Sequence, residues 1–195
     1  MFCTTLAIIQ CLEQIGITIL DVKITALSSQ VIRVEKYPML TIIGCGNLNR
    51  NDDAVGAIIA QRLQQFLAEN PYPNVQVYDC GTAGMEVMFQ ARGSKHLVII
   101  DASSTGSEPG AVFKVPGKEL EALPQPSYNL HDFRWDNALA AGRKIFKDDF
   151  PQEVTVYLIE AENLDFGLEL SLAVKRAADI VFAEVTEIIR NYPGN

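Results

Sequence analysis

Acidic side chains and one imidazole fall where the apolar runs of this chain stop. Asp52 and Asp53 follow "MLTIIG" (39–44) across a turn built on Gly44 and Gly46. Asp79 closes "VQVYDC", Asp101 closes "HLVIID", and Glu160 closes "VTVYLIE" with Glu162 just beyond. His131 sits in the long polar connection after "AVFKV" (111–115). Carboxylates gathered at one rim raise each other's proton affinity unless a cation neutralises them. An Asp/Asp/His set with open positions suits a first-row divalent metal such as Zn, Ni, Mn or Fe. Each residue also has an ordinary structural role. An Asp at a helix start caps it and complements its dipole, an Asp ending a central strand braces a turn, and a loop His is solvated. On these grounds Asp79 is as eligible as Asp101.

The stretch "IIGCGNLNRNDDAVG" (42–56) also opens like a dinucleotide-binding turn. Such a turn needs a third glycine for close helix–strand packing. Asn49 stands in that place, and Asp52 and Asp53 would repel a phosphate. The side chain of Asn47 is expected to brace the turn by its own hydrogen bonds. The chain has no G-x-S-x-G elbow, no H-E-x-x-H and no P-loop. Cys45 and Cys80 have no adjacent base, which makes them small buried residues near strand ends.

What positions these groups is an alternation of strands and helices. Strands are expected at 39–44, 75–80, 96–101, 111–115 and 154–160. A helix from Asp52 to about Asn70 repeats Val55, Ile58, Ile59, Leu63 and Phe66 at helical spacing. A second runs through 83–91, opened by Gly81 or Thr82 and closed by Gly93. A third, 132–146, is expected to bury Trp135, Leu139 and Ile145. Ser171 caps a final helix with Val174, Ala178, Val181, Val185 and Ile188 on one face. This order implies an α/β fold with parallel crossovers and a sheet covered on both faces. Ligands of such sheets bind beyond the carboxyl ends of the strands. His96 begins a strand and so belongs to the opposite edge.

The 195 residues suffice for one domain, and the net charge of −8 argues against nucleic acid as a partner. Four cysteines without a paired spacing fit a reduced, cytoplasmic protein. The opening "MFCTTLAIIQCLEQIGITIL" is too interrupted for a membrane span and lacks the basic start of a signal peptide. Residues 1–38 are expected to be a peripheral extension, or to lie upstream of a start at Met39, with a single domain over 39–195.

Four motifs then occur in order: "GCGNLNRNDDAVG" (44–56), "DCGTAGMEVM" (79–88), "HLVIIDAS" (96–103) and "NLHDF" (129–133). Together they resemble the hydrogenase maturation endopeptidases, and among these the branch that processes the cyanobacterial-type uptake hydrogenase. The resemblance implies a three-layer α/β/α sandwich with a twisted, mostly parallel five-stranded sheet. It implies an endopeptidase that removes the C-terminal extension of a nickel–iron hydrogenase large-subunit precursor after nickel insertion. Carried over by motif, Asp53, Asp101 and His131 become the catalytic and metal-contacting residues, which separates Asp101 from Asp79 and Asp53 from Asp52. The nickel is expected to come with the precursor and not as a resident ion. The first-motif acid, often Glu in relatives, is Asp53 here, and Ala54 follows it where many relatives have Gly. Two rival readings remain: a nickel-checkpoint assembly factor that does not hydrolyse, and a nucleotide-binding or small-molecule α/β module. Oligomeric state is open, a monomer included.

Overall fold

In a computed structural model of the chain, the described residues are 40–121 and 135–192. The expected extension 1–38 and His131 lie outside them. Five strands form one sheet: β1 (Leu40–Cys45), β2 (Val75–Gly81), β3 (His96–Ser103), β4 (Val112–Pro116) and β5 (Glu153–Glu160), in the order β2-β1-β3-β5-β4. All neighbours pair parallel except β4, which runs antiparallel to β5 at the edge. The expected strands are all present, and "HLVIID" is central.

β1 leads through a tight 3-10 turn (Asn51–Ala54) into α1 (Val55–Glu69). The other helices are α2 (Gly84–Ala91), α3 (Gly117–Glu121), α4 (Trp135–Phe146) and α5 (Leu172–Asn191). The short α3 occupies a segment that composition marked only as polar and proline-bearing. Ser171 caps α5 as expected, its Oγ accepting from the Val174 N–H at 3.3 Å. Neither Gly81 nor Thr82 caps α2. Ala83 precedes that helix, without a side-chain cap.

Strand side chains alternate between two apolar layers, as the pleat requires. Leu40, Ile42, Val98 and Ile100 pack with Val55, Ile59 and Leu63 of α1 and Val174, Val181 and Val185 of α5. Ile43, Cys45, Leu97 and Ile99 pack with Val87 and Met88 of α2 and with Trp135, Ala138 and Leu139 of α4. The fold is thus a sheet between two helical layers. One expectation fails here. Ile145 is 59% exposed. After α4 the chain turns through Lys147, at φ +50, and returns the fully buried Phe150 beneath the helix. Its ring lies so close to Gly142 that a Cβ there would stand 2.2 Å from it. That ring packs beneath Gly142, while Ile145, three residues on, faces outward.

Two glycines set how closely α1 approaches the sheet. A Cβ on Gly44 would sit 2.1 Å from the Gly56 carbonyl oxygen, and one on Gly56 would sit 2.2 Å from that of Ile100. The start of α1 therefore rests directly on the ends of β1 and β3. Gly56 does the packing that the sequence comparison with a dinucleotide turn assigned to a missing third glycine.

A carboxylate-lined cavity at the switch point of the sheet

From β1 the chain goes outward to β2, then returns across β1 to β3 on its other side. The crevice opened by that reversal, at the carboxyl ends of the strands, is the usual ligand position in open α/β sheets. A cavity of about 250 Å³ lies there, lined by Cys45, Gly46, Arg50, Asp53, Gly81, Thr82, Gly84, Asp101 and Trp135. The ladder between β1 and β2 is irregular at Gly44/Cys45, beside the cavity, where a bulge re-aims the chain.

Asp53 reaches the cavity from the β1–α1 turn. Gly46 adopts φ +134, and a Cβ there would overlap the Asp53 carbonyl oxygen at 1.8 Å. Only glycine allows the turn to fold back on Asp53 in this way. Asp53 Oδ2 accepts the Asn47 N–H at 3.0 Å. Asn47 Oδ1 in turn accepts the Asn49 N–H at 3.0 Å, the brace expected from sequence. The Asn47 N–H that a phosphate cradle would use is therefore already satisfied by a carboxylate.

Asp101 reaches the same cavity from the end of β3 and is 5% exposed. Its Oδ1 accepts the Ala102 N–H at 2.9 Å, and its Oδ2 accepts Trp135 Nε1–H at 2.7 Å. Two elements thus fix one carboxylate. Trp135 and Arg50 are site residues that the sequence reading missed, one taken as core and the other not weighed. Arg50 is steered by Nε–H donation to the Leu164 carbonyl at 3.0 Å, with its guanidinium 5.7 Å from the Phe166 ring.

The other acidic residues do structural work. Asp52 is fully buried, and its carboxylate accepts the N–H groups of Glu162 (2.9 Å), Asn163 (3.0 Å) and Ser171 (2.6 Å). With the Asn51 N–H on the Gly167 carbonyl and the Gly167 N–H on that of Asn49, it ties the site turn to the β5–α5 loop. Asp79 faces the α1 side, where its Oδ2 accepts Gln61 Nε2–H at 2.9 Å, while Oδ1 accepts the Gly81 N–H. Glu160 is 2% exposed and holds the 104–110 loop through the N–H groups of Thr105, Gly106 and Ser107 and the hydroxyls of Ser103 and Thr105. Burial alone would raise its carboxyl; these hydrogen bonds outweigh burial and hold it below the ordinary range.

Cys45 and Cys80 are buried thiols at the strand ends. Burial, with Glu86 and Asp79 nearby, pushes Cys80 up to about 12, which removes it as a nucleophile at neutral pH. Among the described residues, no three His, Cys, Asp or Glu side chains are grouped to hold a metal ion. Asp53 and Asp101 come together at the cavity as expected. Likewise among the described residues, no helix is long and apolar enough to cross a membrane.

The family model for hydrogenase maturation protease matches residues 58–188, a stretch that includes Asp101 and His131 and begins after Asp53. The hydrogenase 2 maturation protease of Escherichia coli K12 is 28% identical over 152 residues, covering 77% of this chain and 90% of its own. The solved structure of the hydrogenase maturating endopeptidase HybD from E. coli superposes with a TM-score of 0.66 at 26% identity. That match covers 79% of this chain and 93% of HybD. A hydrogenase maturation protease from Thermococcus kodakarensis, 20% identical with a TM-score of 0.61, shares the fold over 78% of this chain and 92% of its own.

Proposed function

This chain belongs to the hydrogenase maturation protease family and is an endopeptidase, and from that premise we propose that it cuts the C-terminal extension from a nickel–iron hydrogenase large-subunit precursor once nickel is in place. The observation that carries the site is the meeting of Asp53 and Asp101, from separate elements, in one cavity at the switch point. Two carboxylates facing one small space call for a cation, and the precursor's nickel supplies it as part of the substrate. Asp53, Asp101 and His131 are the residues proposed to contact that nickel. The donor set suits such an ion: among the described residues Asp53 spends only Oδ2 on a hydrogen bond, and Asp101 is held in a fixed plane.

In this reading the metal is a recognition mark, so an unloaded precursor lacks the charge that offsets the two aspartates. A carboxylate beside the scissile bond takes the proton of the water that attacks its carbonyl and returns it to the leaving amine. The substrate's nickel draws electron density from that carbonyl. The protein is proposed to work in the cytoplasm.

The test mixes the purified protein with nickel-loaded and nickel-free precursor and reads the mass of the large subunit. Cleavage of the loaded form alone is expected. Equal cleavage of both would sink the gating. Binding of loaded precursor without any change in mass would replace proteolysis by a checkpoint role.

A further inference from the structure

We propose that Trp135 is a positioning residue for Asp101: its indole N–H sets the orientation of the carboxylate that the cavity offers to the substrate. The inference rests on the reading of Asp101 given above. Trp135 is the only tryptophan of the chain and the first residue of α4. It is 7% exposed, packed among the residues of the α2/α4 layer, and it lines the cavity itself. An indole has one donor and no acceptor, and packing fixes the direction of this one. It is spent on Asp101 Oδ2 at 2.7 Å, at the short end for a donor meeting a charged acceptor.

A tryptophan kept for bulk alone would serve as well as phenylalanine, which brings no polar atom to satisfy. Asp101 shows why the donor matters. Its Oδ1 is held by the next residue of its own strand, which leaves the other oxygen to be placed from elsewhere. The indole does this from an element 34 residues away in sequence. The result ties the carboxylate to both β3 and α4. Partners of this kind behind a metal-facing group typically change affinity or rate by 10–100-fold when removed.

Because the tryptophan is unique, an analogue fed to a tryptophan auxotroph enters at position 135 alone. β-(3-Benzothienyl)alanine keeps the shape of the ring system and has no N–H; 5-fluorotryptophan keeps both. The full chain is made with each, beside Trp135→Phe, and assayed on nickel-loaded precursor. Cleavage is expected to fall roughly 10–100-fold with the benzothienyl residue and with phenylalanine, and to stay near the wild-type rate with fluorotryptophan. Wild-type cleavage by the benzothienyl protein would overturn the proposal, since packing alone would then account for the residue. Indole 15N-labelled protein gives one N–H resonance. Asp101→Asn is expected to move it and Asp53→Asn to leave it in place. A resonance unmoved by Asp101→Asn would likewise overturn the contact. If the wild-type protein cleaves nothing, the functional reading fails while this resonance still decides the hydrogen bond. If Asp101→Asn cleaves normally, Asp101 leaves the site and the positioning role falls with it.

Discussion

Asp52 and Asp53 are adjacent in sequence and opposite in consequence. Asp52 spends its carboxylate on three backbone N–H groups, so Asp52→Asn places an amide donor against donors. A loss of about 3 kcal/mol is expected, measured as a lowered urea midpoint with an unchanged slope. Asp53→Asn should leave that midpoint near wild type and abolish processing, read by the mass of the large subunit. Asp79→Asn should leave processing intact, because that side chain braces the opposite face of the sheet. Strand parity alone does not make that last distinction. Val75, Val77 and Asp79 share one parity, as do Leu97, Ile99 and Asp101, but only the register of the assembled sheet puts the two sets on different faces. The role of Asp52 was not legible. Its partners lie 110, 111 and 119 residues further along, and no local pattern announces them.

At the scale of elements, apolar runs located the strands of the described residues, helical spacing located α1, α4 and α5, and end signals located α2, although its expected cap is not made. Failures came where a distant ring or a close backbone decided the outcome. Ile145 stands seven residues from buried Ala138, a spacing that favours the same helix face, yet it is Phe150, from beyond the helix, that is buried there against Gly142. Ile145→Ser should therefore change stability by no more than about 0.5 kcal/mol. Leu139→Ala should cost about 2–5 kcal/mol. Chemical denaturation of the two variants separates them. Gly56 carries no local signal of its role, since only the assembled sheet brings carbonyl oxygens of β1 and β3 against it. Gly56→Ala is expected to cost about 3 kcal/mol or more by forcing α1 away from the strand ends, with processing lost in proportion as Asp53 moves.

For the whole molecule, acid acts from both edges of the sheet in the same direction. At the carboxyl edge, Glu160 has a folded-state proton affinity below its ordinary value of 4.5. Its contribution is complete above that pH and is lost as pH falls below it towards the lower folded value. At the other edge, half-buried His96 lies 3.2 Å from Thr155 Oγ1 and against the Tyr192 ring. Burial lowers it from 6.5, and Lys114 adds to this while Glu153 opposes it. The unfolded chain thus takes up that proton first, so stability begins to fall below about pH 6.5. Thermal midpoints across pH 3–8 should show two steps, with Glu160→Gln removing the lower and His96→Gln the upper. The tie between the site turn and the β5–α5 loop has a consequence for synthesis. Translation delivers the turn early and its partners more than a hundred residues later. Until residues 162–171 leave the ribosome, the Asp52 carboxylate has none of the N–H groups that hold it. A nascent or truncated chain that stops short of Ser171 lacks part of the tie, so the turn that carries Asp53 is held in full only once the β5–α5 loop has been made.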